Sequence, residues 1–118
     1  LDDKSRRVKV ALGVLYARRG DSVRAIAALD AAAGDPDAEL TRAVLAIRLR
    51  DHENARSRLA KLTPDPAWRY EYLMTTGAAQ RGTGRIDEAK VTYRQAIALD
   101  PARPEASAAL RALEAPTP

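Results

Sequence analysis

At 118 residues the chain has room for one small domain. With no cysteine and a single histidine it cannot form disulfides, use thiol chemistry or assemble a multi-histidine zinc site. The net charge of +4 is modest, and acids are interleaved with bases throughout, which speaks against a nucleic-acid module. No apolar run approaches the roughly 20 residues of a membrane span, so no membrane insertion by this segment is expected.

The chain begins at Leu1, which fits a processed chain or a piece of a longer protein. From about residue 6, apolar residues recur at helical spacing, and Val8, Leu12, Leu15 and Tyr16 read as one buried face. Gly20 breaks this helix and Asp21 can cap the next, whose face is Ala25, Leu29 and Ala32. Asp35-Pro36 opens a third helix, because Asp accepts from free N–H groups and Pro suits the first helical position. Leu40, Val44 and Ile47 share a face of that helix. Arg50-Asp51 marks a weaker break, before a helix with Ala55, Leu59 and Leu62. Asp65-Pro66 starts the next pair, Gly84 divides it, and Ala89, Tyr93 and Ala96 form the face of its second helix. Asp100-Pro101 opens a closing helix with Ala106, Leu110 and Leu113 on one side and Arg103, Glu105, Arg111 and Glu114 on the other. The tail Ala115-Pro116-Thr117-Pro118 reads as linker.

Three features return along this path. A small residue recurs at Gly13, Ala43 and Gly77, an alanine follows twelve residues later at Ala25, Ala55 and Ala89, and Asp-Pro recurs at 35, 65 and 100. The intervals are 30 and then 34 or 35 residues, the signature of one helix pair stacked on copies of itself. Small residues let two helix backbones approach closely where they cross.

The stretch Tyr72-Leu73, Gly77-Ala78, Gly84, Ala89, Tyr93, Ala96-Ile97, Asp100-Pro101 resembles a tetratricopeptide repeat of bacterial type. The first unit resembles it through Leu12-Gly13, Tyr16, Gly20, Ala25 and Leu29. The second is degenerate: Ala43, Ala46, Ala55, Leu59 and Pro66 match, and Arg50 replaces the turn glycine. The expected fold is all-α: a right-handed superhelix of three antiparallel helix pairs with a C-terminal capping helix. The domain would span 1–114, with repeats at about 6–35, 36–66 and 67–101, a capping helix at 102–114 and a tail at 115–118. An interval about four residues short of the usual 34 is close to one helical turn. It is accommodated by shortening the second helix of a pair.

The resemblance implies a non-catalytic interaction module with protein or peptide partners, another copy of the chain included. The expected surface is the groove lined by the first helix of each pair. It is formed by Val10, Val14, Ala17 and Arg18 in the first unit, by Leu40, Val44, Ile47 and Arg48 in the second, and by Met74, Ala78 and Arg81 in the third. The first two of these helices are apolar nearly all round, which calls for cover on both sides. The arginines could clamp carboxylates or simply answer helix dipoles. Chaperone-binding members of the family hold a C-terminal carboxylate with Lys and Asn. The matching places here are Val10, Val14, Thr41, Glu71 and Thr75, which disfavours heat-shock chaperone tails.

Nothing in the chain spells catalysis. His52 stands alone and reads as a solvated turn residue. Gly82-Thr83-Gly84 ends a helix instead of opening one after a strand, so it is a turn and no phosphate loop. Trp68, Tyr70 and Tyr72 read as packing residues. No catalytic residue, cofactor or metal is expected. An Ala- and Arg-rich composition suggests a GC-rich bacterial source, and such repeats serve assembly, secretion and envelope-export systems. The absence of cysteine fits cytoplasm and periplasm equally. The competing expectation is a structural segment of a longer repeat scaffold, or a self-association module.

Overall fold

The computed structural model describes residues 2–114, so the tail at 115–118 lies outside the described residues. These form seven α-helices and one 3-10 turn, with no strand among them. The chain divides into two compact units, one ending at Leu62 and the other beginning at Thr63.

The first unit holds α1 (Asp3–Arg18), α2 (Ser22–Ala31), α3 (Pro36–Arg48) and α4 (His52–Ala60). Short turns make α1–α2 and α3–α4 antiparallel hairpins, and α3 packs on both helices of the first hairpin. Each helix starts on an aspartate: Asp2, Asp21, Asp35 and Asp51 accept backbone N–H groups of the first turn. Each hairpin turns on a residue in the left-handed region. Gly20 has φ +79° and Arg50 has φ +65°. The closing bonds are the same in both: Asp21 N–H donates to the Tyr16 carbonyl at 2.9 Å and Asp51 N–H to the Ala46 carbonyl at 2.8 Å. Arg50 thus adopts the backbone of the glycine it replaces.

The second unit holds the 3-10 turn Pro66–Trp68, α5 (Arg69–Gly82), α6 (Ile86–Leu99) and α7 (Pro104–Glu114). α6 packs on α5 and on α7. Gly84, with φ +79°, repeats the same turn.

The second helix of each hairpin follows its spacing. Ala25 and Leu29 are buried on α2 with Ala32 just past its end, Ala55 and Leu59 on α4, and Ala89, Tyr93 and Ala96 on α6, whereas Leu62, expected on the α4 face, lies beyond that helix and is half-buried. Their lengths, 10, 9 and 14 residues, show where the short interval goes: α2 and α4 lack about one turn.

Three expectations need correction. On α1, Val8 and Leu15 are 52% and 42% exposed, while Gly13 and Ala17 are buried. An all-round apolar helix does not select its buried side by hydrophobicity. α1 packs where its backbone can come closest to α2, with a Cβ at Gly13 falling 2.5 Å from Leu29 Cγ. On α3, the fully buried residues are Ala38, Ala43, Leu45 and Ala46, and Leu40, Val44 and Ile47 are only half-buried. Finally, Asp100 closes α6 and starts no helix. Arg103 N–H donates to its carbonyl at 3.3 Å, and α7 begins at Pro104, two residues later than expected.

Candidate partner-binding surfaces

In the first unit the expected groove residues separate into three kinds. Ala17 is a core residue beside Ala25, Leu29, Ala38 and Leu45, and half-buried Val10 packs against that cluster. Neither is free to meet a partner fully. Val14 on α1 and Leu40, Val44 and Ile47 on α3 are partly buried and keep a minor part of their surface accessible. The arginines also differ. Arg48 crosses to the end of α1, where its guanidinium donates to the Ala17 carbonyl at 2.9 Å. The Ala17 carbonyl already accepts the Gly20 N–H at 3.1 Å, so Arg48 adds a second bond there and meets the negative end of the helix dipole. Arg18 is exposed and makes no such contact.

In the second unit Met74 packs against the buried cluster of Tyr70, Ala96 and Ala106. Ala78 is half-buried, and Arg81 is exposed in the last turn of α5. Burial pushes the Tyr93 phenol up, with the Arg81 charge acting in the opposite direction.

Two clefts went unread in the sequence. One, of about 390 Å³, is mainly apolar and lined by Arg69 and Leu73 of α5 and Gln95, Ala98 and Leu99 of α6. The exposure of Leu99 comes from the end of α6, where helical spacing alone gives no warning. The other, of about 240 Å³, is polar and lined by Glu39, Asn54, Ser57, Arg58 and Lys61. Two of its charges are spent on one another, with Arg58 donating to Glu39 at 3.1 Å and also to the Asn54 side chain at 2.8 Å.

Tyr70 and Arg103 form a second feature that the sequence hid. The Tyr70 hydroxyl accepts the Ala106 N–H at 3.1 Å, so α5 supplies a cap for α7. Arg103 lies 3.9 Å above the Tyr70 ring and pairs with Glu71 at 2.9 Å. That hydrogen bond holds the Glu71 carboxyl below the usual carboxylate range. Trp68 and Tyr72 meet edge to face at 6.2 Å. His52 is no solvated turn residue. It is the first residue of α4, half-buried, and its Nδ1 has no hydrogen-bond partner. Among the described residues no group of three or more His, Asp or Glu side chains is placed to hold a metal ion.

Residues 70–103, covering α5, α6 and the turn into α7, match the family model of the tetratricopeptide repeat. The chain as a whole has the same fold as solved domains of that family. The second tetratricopeptide domain of human RPAP3, solved in complex with an HSP70 peptide, superposes with a TM-score of 0.79 at 17% identity, over 94% of this chain and 99% of that one. The first such domain of human RPAP3 gives 0.80 at 23% identity, over 92% and 89%. No curated protein matches the sequence. Residues 70–103 thus carry the sequence of one tetratricopeptide repeat, and the chain shares the fold of tetratricopeptide domains.

Proposed function

We propose that the chain is a non-catalytic interaction module that binds a peptide or helix, with its main contact on the α1–α3 face of the first unit. One observation carries this reading. α3 already buries Ala38, Ala43, Leu45 and Ala46, yet leaves Leu40, Val44 and Ile47 only partly covered on another side. A helix with one buried face and a second apolar one is built to be covered. Val14 extends that surface on α1, and Arg18 stands at its edge. Arg48 belongs to the scaffold through its bond to Ala17, so it contributes little to recognition. Met74, Ala78 and Arg81 form the corresponding side of α5 in the second unit.

The RPAP3 domain of the same fold holds a peptide, which supports a peptide as the class of ligand here. Chaperone tails are not the ligand proposed. Val10, Val14, Thr41, Glu71 and Thr75 supply no cation for a terminal carboxylate. A bacterial assembly, secretion or envelope-export system is the proposed setting, resting on composition and resemblance. The test is selection of binders from a displayed random-peptide library, followed by affinity measurements on Val44→Asp. Selective loss of binding supports the reading, and unchanged affinity overturns it.

A second reading draws on Leu99, 45% exposed beside the apolar cleft with Leu73. There the chain is a structural segment whose faces pack on further repeats or on another copy. Concentration-dependent association that Leu99→Asp abolishes would favour it.

A further inference from the structure

The side of α1 opposite Gly13 and Ala17 carries Lys4, Arg7, Val8, Ala11, Leu15 and Arg18, all exposed. Their spacing of three, four and seven places them on one stripe about four turns long. The middle of the stripe is apolar: Val8 and Leu15, two turns apart, with Ala11 between them. Its ends are basic. The side chains of Lys4, Arg7 and Arg18 make no hydrogen bond or ion pair among the described residues. The nearby acids are already engaged. Asp2 accepts the Ser5 N–H, Asp3 pairs with Arg6, and Asp21 accepts the Arg24 N–H and pairs with its side chain.

We propose that this outer stripe of α1 docks an acidic amphipathic helix whose apolar residues meet Val8, Ala11 and Leu15 and whose carboxylates meet Lys4, Arg7 and Arg18. The stripe adjoins the α1–α3 peptide surface at Arg18, which stands at the edge of both, while Val8, Ala11 and Leu15 belong to the stripe alone. Charge decides the occupant. A second copy docking stripe to stripe would set cations against cations at both ends, a like-charge arrangement that disfavours association. A membrane surface would accept the cations, but interfacial helices present a broad apolar face with large residues, and here two large aliphatic side chains and one alanine do not provide it. A partner helix crossing at a shallow angle fits a narrow stripe with Ala11 as the place of closest approach. The small contact makes the complex transient, and its charged rim makes it sensitive to salt.

The test uses the full chain and a synthetic helical peptide of about 18 residues, long enough to hold helix, with Leu at i, i+3 and i+7 in the centre and Glu at both ends. NMR titration should shift amides of Lys4–Arg18, and binding should weaken as salt is raised. Val8→Ser with Leu15→Ser, and separately Lys4→Glu with Arg7→Glu, should each weaken it by about tenfold or more, while helical circular dichroism is unchanged. Val44→Asp should leave it intact. A control peptide with Lys in place of Glu should not bind. The proposal is overturned by no binding of the acidic peptide, by equal binding of the basic one, or by shifts confined to Leu40, Val44 and Ile47. It is also overturned if phosphatidylserine vesicles bind and the peptide does not, or if Leu15→Ser abolishes a dimer of the free chain.

Discussion

The ring of Tyr93 occupies the space that a side chain at Gly77 would need. A Cβ on Gly77 would lie 2.5 Å from Tyr93 Cε1 and within 3 Å of two more ring atoms. Leu29 stands over Gly13 in the same way in the first hairpin. Both pairs are sixteen residues apart, as are Ala43 and Leu59. Gly77→Leu should therefore destabilise by roughly 1–3 kcal/mol, because the buried ring must leave its rotamer or the helices must part. Tyr93→Leu combined with Gly77→Ala should recover part of the loss of Gly77→Ala alone. Urea denaturation of the four-member cycle measures it, and strict additivity would show that the two residues do not meet.

Arg50 holds a backbone conformation that costs a non-glycine residue roughly 1–2 kcal/mol. Its φ of +65° matches Gly20 and Gly84 at equivalent turns. Arg50→Gly should raise stability by about 0.5–1 kcal/mol, the relief of strain exceeding the added freedom of the unfolded chain. Thermal unfolding should show a higher midpoint. Gly20→Ala and Gly84→Ala should lower it.

Arg48 and Arg18 end successive first helices, but only Arg48 is bonded. Arg48→Gln should cost about 0.5–1.5 kcal/mol through loss of the bond to the Ala17 carbonyl. Arg18→Gln should be close to neutral for folding. Equal effects on denaturant midpoints would remove the distinction between them.

Tyr70→Phe takes away the hydroxyl that accepts the Ala106 N–H and should loosen the start of α7 by about 1 kcal/mol. Amide exchange should speed first at Ala106 and its neighbours. Arg103 should matter more than Arg111, since it covers the Tyr70 ring and pairs with Glu71. Glu71 gives this region a pH dependence. Its carboxyl sits below the usual range because of the Arg103 hydrogen bond, so its contribution is complete at neutral pH. That contribution is lost as pH falls through the folded pKa, and Glu71→Gln should flatten the acid limb of the stability curve. With both side chains close to half exposed, the slope is shallow.

Much of this architecture is legible in the sequence. The faces of α2, α4 and α6 are read correctly up to Ala32 and Leu62, which fall just beyond their helices, because alanine and one large residue alternate there with charges, which fixes the phase. The missing turn in α2 and α4 follows from the short interval. α1 and α3 are misread for the opposite reason. Apolar residues surround them, so periodicity names no buried side, and the choice falls to Gly13 and Ala17 or Ala43 and Leu45. The groove residues inherit that ambiguity: Ala17 proves to be core and Arg48 a scaffold contact. The third Asp-Pro looks like the other two, but Pro104 three residues on supplies a competing start. Arg103 reads as a surface charge because its partners, Tyr70 and Glu71, lie more than thirty residues away.

The most direct test of the interaction-module account is calorimetric titration of a library-selected peptide into the native chain and into Val44→Asp. The account expects binding to the native chain, a loss of at least about tenfold in the variant, and the same helical circular dichroism in both. Equal affinity for the two chains, or loss of helix along with binding, would contradict it.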